Sequence, residues 1–255
     1  MKYMLLFLRD CVSFVIYLIL SATPDRKCAT LVYHSVDYID PKTDPLRMNI
    51  TPERFEEHLK FISRYKGDIG ITFDDGYKNN FARAYPLLLK YGQSATVFLT
   101  TDFIDGKIGS KKIWVMGQDV EPLSWQEIKT MSSSGIKVGS HGKTHRNLAR
   151  LPKEEMYKEL SDSKRRIEEI LDARIYSFSY PIGAYGTFDS NTRDALIHSG
   201  YTYAYTNVLG TNLMPPTDSY AIKRIRINTE DNVFRLKMKI RGSYDWVDWI
   251  KRPKR

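Results

Sequence analysis

The chain has 255 residues, 42% of them hydrophobic and 27% charged, with a formal net charge of +9. This length supports one large domain with a full core, and the composition excludes a disordered or collagen-like chain. The basic balance favours anionic partners, yet no helix-turn-helix, zinc-finger or RNA-binding signature occurs, so nucleic acid is not an expected partner.

Residues 1–22 are apolar apart from Lys2, Arg9 and Asp10. The uncharged run Cys11–Pro24 falls short of the roughly 20 residues that span a bilayer. Three readings stand for residues 1–27. One is the apolar part of a signal peptide, although Asp10 is unusual there and no small-x-small cleavage site follows. Another is an uncleaved helix lying in or anchored to a membrane, ahead of the basic pair Arg26-Lys27. The third is a helix packed on the domain itself. A membrane-associated or cell-envelope location, with an anionic membrane surface as a partner, is the expectation. Cys11 and Cys28 form neither a disulfide framework nor a C-x-x-C pair.

From Cys28 onward, short apolar runs alternate with helical patterns. Strands are predicted at Ala29–His34, Ile69–Asp74, Ala95–Thr100, Ile136–Ser140, Ile175–Tyr180, Thr202–Thr206 and Ala221–Ile227. A helix opens at Thr51-Pro52-Glu53 and buries Phe55, Leu59 and Ile62; others cover 79–91, 124–134, 152–172 and 189–199, and Asp231 caps a last one. His58 reads as a solvated residue of the first of these and His198 as a structural one. Residues 28–243 thus form one α/β domain whose parallel strands suit closure into a barrel. Residues 244–255 read as a basic tail ending Lys251-Arg252-Pro253-Lys254-Arg255.

In such a barrel, functional groups gather where strands end. His34 ends the first predicted strand, Asp74-Asp75 the second, His141 follows the fourth and Tyr180-Pro181 ends the fifth. Asp74-Asp75-Gly76 suits a tight turn, but two adjacent carboxylates also repel unless a cation compensates. His141 and His145 stand four apart, a spacing that suits one metal ion as well as a solvated surface. Two imidazoles and one carboxylate suit Zn²⁺, with Co²⁺, Ni²⁺, Fe²⁺ or Mn²⁺ as other occupants. A carboxylate beside such an ion can take a proton from water, the machinery of amide or ester hydrolysis. The 17 tyrosines, with Trp114 and Trp125, serve packing or line a carbohydrate groove. No G-x-S-x-G, P-loop or dinucleotide fingerprint occurs.

The strings Leu31-Val32-Tyr33-His34-Ser35-Val36, Thr72-Phe73-Asp74-Asp75-Gly76, Leu123-Ser124-Trp125, Gly139-Ser140-His141 and Ser179-Tyr180-Pro181-Ile182-Gly183-Ala184-Tyr185 resemble the polysaccharide deacetylase family (NodB-homology domains, carbohydrate esterase family 4). The match runs over most of residues 29–240 and is similar in detail to the branch acting on exopolysaccharides. The resemblance implies a distorted seven-stranded (β/α) barrel and a metal-dependent N-deacetylase of N-acetylhexosamine units. It implies Asp74 as general base, Asp75, His141 and His145 as metal ligands, and Tyr180, Pro181 and Ile182 as the oxyanion and substrate segment, with the Ile182 N–H on the oxyanion. Two alternatives are a deacetylase or deformylase of a lipid-linked sugar phosphate and an inactive carbohydrate-binding barrel.

Three departures stand out. Gly142 replaces the usual Ser or Thr after the first metal histidine, which is expected to loosen a loop hydrogen bond. Ser179-Tyr180 stands where many members carry an arginine before the Pro-containing motif, and the late Leu-x-His motif is missing. His34 is therefore the candidate general acid. Asp245-Trp246-Val247-Asp248-Trp249 is similar to a further family motif but sits too late, and is read as part of the tail.

Overall fold

Seven parallel strands, all at the predicted places, close into a barrel in a computed structural model that describes residues 2–23, 27–109 and 120–251. They are β1 (Ala29–Tyr33), β2 (Ile69–Phe73), β3 (Thr96–Leu99), β4 (Lys137–Ser140), β5 (Ser177–Ser179), β6 (Tyr203–Leu209) and β7 (Ile222–Arg226). Closure runs through β1 and β7, where Leu31 pairs with Ile225 and Val32 with Arg226. Two weak seams distort the barrel. β4 and β5 share the single pair Ser140 and Phe178. Between β6 and β7 the register shifts between Tyr205 and Leu209. A two-residue ladder, Ser35–Val36 on Asn49–Ile50, lies just beyond β1 and was not predicted.

Strands buried on both faces read as apolar runs, and β1 is buried at all five positions. Gly139 has a packing reason. A Cβ there would fall 2.5 Å from Cε1 of Phe98, so only glycine leaves room for that ring.

The helices cover the barrel: α1 (Lys2–Ser21), α2 (Pro52–Ile62), α3 (Tyr85–Lys90), α4 (Thr101–Ile104), α5 (Trp125–Ser133), α6 (Lys153–Leu171), α7 (Ser190–His198), α8 (Val233–Ile240) and α9 (Asp245–Lys251). Thr51 caps α2 by accepting from the N–H of Arg54, and capping boxes open α5 at Ser124 and α7 at Asp189. The stretch predicted as one helix over 79–91 opens with a π-helical turn, Asn80–Ala84, before α3.

Several expectations need correction. Asn232, not Asp231, caps α8. Asp231 is buried and accepts from Lys239 Nζ at 2.5 Å and from the N–H of Asn228 at 2.8 Å. His58 is fully buried rather than solvated, linking the Tyr33 hydroxyl at 3.1 Å to the Asp231 carbonyl at 2.7 Å. Asp245–Lys251 is not tail but helix α9, tied to the barrel by Asp245 on Thr211 and by Asp248 on Lys223 and Tyr185. Residues 252–255 of the predicted tail, Arg26 and Trp114 lie outside the described residues.

Helix α1 packs on the domain along one face. Asp10 accepts from Arg235 at 2.7 Å and from the Tyr244 hydroxyl at 3.1 Å. Ser13, fully buried, accepts from the Trp246 indole at 3.1 Å, and Phe14 and Tyr17 meet Phe234. This docking explains the charged pair Arg9-Asp10 in an otherwise apolar helix. Met4, Phe7, Leu8, Val15, Leu18 and Ile19 remain exposed on its other side. No helix among the described residues is long and apolar enough to cross a membrane.

Candidate metal centre and active site

Asp74 and Asp75 follow the last residue of β2, and a positive φ of 75° at Asp75 turns the two carboxylates apart. Non-glycine residues rarely adopt this conformation, and Asp tolerates it better than most. His145 (φ 58°) and Ile182 (φ 67°) share it. For a β-branched residue such as Ile182 that is a true outlier, of the kind that clusters at functional sites.

The turn at Asp75 aims its carboxylate at two imidazoles. Oδ1 of Asp75 lies 3.5 Å from Nε2 of His141 and 3.5 Å from Nε2 of His145. The three donor atoms lie within 4.8 Å of one another, and Asp75 Oδ1 is buried without a hydrogen-bond partner among the described residues. Buried orphan oxygens are rare. Tetrahedral bonds of about 2.0–2.2 Å would separate donor atoms by roughly 3.3–3.6 Å, so these residues fit a small divalent cation.

The protonation states agree. Burial lowers the pKa of His141 and, with the nearby charge of His141, that of His145 to about 3, so both imidazoles stay neutral. His141 Nδ1 sits 2.7 Å from the Ser179 carbonyl; donation there leaves Nε2 as the lone-pair donor that a metal needs. Burial, and then the charge of Asp74, push Asp75 well above the usual carboxylate range. A cation beside it would reverse that and keep it ionised.

Asp74 is the counterpart. It is fully buried, which alone would favour the neutral acid, but the charges of Arg224 and His141 and the hydrogen bonds from Arg224 together outweigh burial and hold the carboxyl well below its ordinary range. Arg224 sits in β7 with its side chain fully buried inside the barrel. It donates to Asp74 Oδ1 at 2.8 Å and to Oδ2 at 2.6 Å, to Ser179 Oγ at 2.9 Å, to Asn207 Oδ1 at 2.9 Å and to the Thr206 carbonyl at 2.9 Å. Ser179 Oγ in turn donates to Asp74 Oδ2 at 3.2 Å. Ser179, at the place where the sequence lacks the arginine of many resembled members, is thus in contact with an arginine from another strand, Arg224. Sequence reasoning missed Arg224. An arginine in the middle of a strand closing the barrel was the available signal, since an unpaired one would not be buried there.

The loop between the two histidines is held rather than loosened. Gly142 takes φ 82°, and Glu159 of α6 accepts from the N–H of Lys143 at 3.0 Å, from that of Thr144 at 2.8 Å and from the Thr144 hydroxyl.

The remaining predicted residues divide. His34 lies at the same mouth, buried; burial and the charges of Arg224, His141 and Arg226 bring it down to about 3 despite Asp74. It is thus neutral at physiological pH and carries no spare proton beforehand. The Tyr180 ring is buried and stacks on Phe188, and its hydroxyl donates to the Tyr220 carbonyl. Pro181 is buried and Ile182 half exposed. Asn207 Nδ2 donates to the Ile182 carbonyl at 2.9 Å, and no described residue accepts the Ile182 N–H. His198 is a surface residue of α7, its Nδ1 2.9 Å from the Asp194 carbonyl. Trp125 packs at the barrel's edge, donating to Asp105 at 2.8 Å.

Residues 63–204 match the family model for polysaccharide deacetylase. A Bacillus subtilis (strain 168) protein assigned to the polysaccharide deacetylases is 32% identical over 158 residues, 62% of this chain and 50% of that protein. A poly-beta-1,6-N-acetyl-D-glucosamine N-deacetylase of Staphylococcus aureus (strain MRSA252) is 24% identical over 174 residues, 65% of this chain and 56% of that protein. The chain therefore spans about half the length of the curated relatives it matches. Among solved structures, a polysaccharide deacetylase from Bacillus cereus superposes with a TM-score of 0.70 at 26% identity, covering 84% of this chain and 69% of that one. A Streptococcus pyogenes deacetylase in complex with acetate gives 0.72 at 21% identity, covering 86% and 99%; that second likeness is one of fold.

Proposed function

The chain belongs to the polysaccharide deacetylase family, and on that premise we propose that it removes N-acetyl groups from N-acetylhexosamine units of a glycan, using one divalent cation. The observation that carries this reading is the placement of the orphan Oδ1 of Asp75 3.5 Å from both imidazole nitrogens, with Asp74 and its arginine alongside. A catalytically inactive carbohydrate-binding barrel would have no use for a buried carboxylate beside two neutral histidines.

In this proposal Asp75, His141 and His145 hold the cation. Zinc suits the tetrahedral separations best; cobalt, nickel, iron and manganese take similar donor sets. When bound, the cation supplies Lewis acidity and a source of hydroxide at neutral pH. Asp74, kept ionised by Arg224, accepts the proton that the attacking water loses as its oxygen bonds to the acyl carbon. The Ile182 N–H, at the mouth and without a partner among the described residues, donates to the developing oxyanion. The C–N bond then breaks as the amine nitrogen gains a proton. His34, neutral beforehand, relays that proton from Asp74 to the amine instead of supplying one of its own.

We also place the protein at the cell envelope, with α1 lying on an anionic membrane surface. Its exposed row Met4, Phe7, Leu8, Val15, Leu18 and Ile19 has the spacing of an interfacial helix, and the sequence ends in a basic cluster.

The test is acetate release from poly-N-acetylglucosamine and chitooligosaccharides by purified protein, before and after chelation and metal restoration. The proposal expects release only with metal; metal-loaded protein inert towards both substrates would reject it.

A further inference from the structure

Beside the mouth lies a second cavity, of about 280 Å³, between α1, the end of β7 and the helices α8 and α9. Arg9, Arg226, Asn228, Lys239, Tyr185 and Asp248 are among the residues lining it. Three cations thus face one carboxylate. Lys239 is spent on Asp231, Arg9 on Asp10, and Asp248 on Lys223. Arg226 is different: it is exposed, and no described residue makes an ion pair or a hydrogen bond with its guanidinium.

Arg226 stands two residues after Arg224 on the same strand. Residues two apart share a face, and two steps carry the chain about 6.7 Å. The guanidinium that fixes Asp74 is therefore followed, two residues nearer the rim, by one that no described residue holds. Arg226 lies close enough to His34 for its charge to act on that ring. The cavity also shares Asn207 with the site, whose side chain bonds both Arg224 and the Ile182 carbonyl. Two residues after Arg226, Asn228 keeps a buried carboxamide oxygen without a partner among the described residues; turning the carboxamide over would present an N–H₂ donor instead.

We infer that this cavity is a subsite for a phosphate group carried by the amino-sugar substrate, held by Arg226 with help from Asn228. Guanidinium groups match phosphate bidentately, and a half-enclosed site strengthens the pairing. The inference rests on the deacetylase reading and adds to it a preference for sugars with a phosphate within reach of the mouth. The phosphate ester could be that of a soluble sugar or of a lipid-linked one. Arg9 belongs to α1, whose exposed apolar row would adjoin a lipid tail.

The test is isothermal titration of the full chain with inorganic phosphate at low ionic strength, with metal bound and after chelation. Binding should survive chelation, weaken at least tenfold in Arg226→Gln, and stay unchanged in Lys129→Gln, an exposed lysine on α5 that serves as the charge control. Titration with N-acetylglucosamine 1-phosphate should show tighter binding than N-acetylglucosamine, by an amount that Arg226→Gln removes. Sedimentation with vesicles containing a polyprenyl phosphate reads the lipid-linked source in the same pair of proteins. Phosphate binding that Arg226→Gln leaves intact, or that chelation abolishes, would overturn the subsite. So would equal affinity for the two sugars. None of these outcomes bears on acetate release from neutral oligomers, which tests the deacetylase reading separately.

Discussion

Arg224 reaches across the barrel interior to place its two terminal nitrogens on the two carboxylate oxygens of Asp74, at 2.8 and 2.6 Å. Both side chains are fully buried. A pair of this kind adds little net stability, because two charges had to leave water, but removing one partner strands the other. Arg224→Met should therefore cost about 3–5 kcal/mol in chemical denaturation. It should also let burial raise the pKa of Asp74, moving the acid limb of the pH profile of kcat/KM upward. A Met variant that is destabilised yet keeps the wild-type pH profile would make Arg224 a structural residue and not a positioning one.

Asp75, His141 and His145 should each be needed for metal. Alanine at any of them should abolish stoichiometric zinc uptake, measured by elemental analysis after dialysis. Asp74→Asn should keep the metal and lose about 10²- to 10⁴-fold in kcat, the range for a general base. Loss of metal in Asp74→Asn would move Asp74 into the ligand set.

Glu159 orders the loop that carries His145, through the N–H groups of Lys143 and Thr144. Glu159→Ala should lower metal affinity by about 10- to 100-fold, as is usual when the groups orienting a ligand are removed. Activity should return largely at saturating metal. A variant with wild-type affinity in a competitive chelator titration would show that the loop holds itself.

His58 is buried and neutral, with burial holding its pKa down at about 4. Because the folded value lies below the unfolded one near 6.5, its contribution is complete above that pH and is lost as pH falls towards 4. The loss reaches about 3 kcal/mol by pH 4. His58→Gln should flatten the fall of Tm between pH 7 and pH 5 relative to wild type, leaving the share that the other buried histidines cause. An unchanged slope would mean that His58 titrates alike in the folded and the unfolded chain.

Much of this was legible in the sequence, and the reasons differ by residue. All seven barrel strands announced themselves as apolar runs with turn signals between them. Asp74, Asp75, His141 and His145 could be placed because polar residues just past apolar strands have one destination in a barrel. Arg224 stayed hidden because its partner is 150 residues away and nothing local marks the pairing. His58 was misread although it stands on the face that α2 buries, between Phe55 and Ile62; its polar partners, Tyr33 and Asp231, come from distant segments that nothing local marks. The burial of the Tyr180 ring against Phe188 could not be read from the motif, since Phe188 lies beyond the turn at Ile182.

The central claim is that one cation, held by Asp75, His141 and His145 beside the Asp74–Arg224 pair, drives deacetylation. Its most direct test measures metal content and acetate release together, on β-1,6-linked N-acetylglucosamine oligomers, for wild type and Asp74→Asn. The account predicts one equivalent of metal in both proteins and turnover in wild type alone, lost on chelation and regained with zinc. Wild-type turnover that persists in metal-free protein would contradict it.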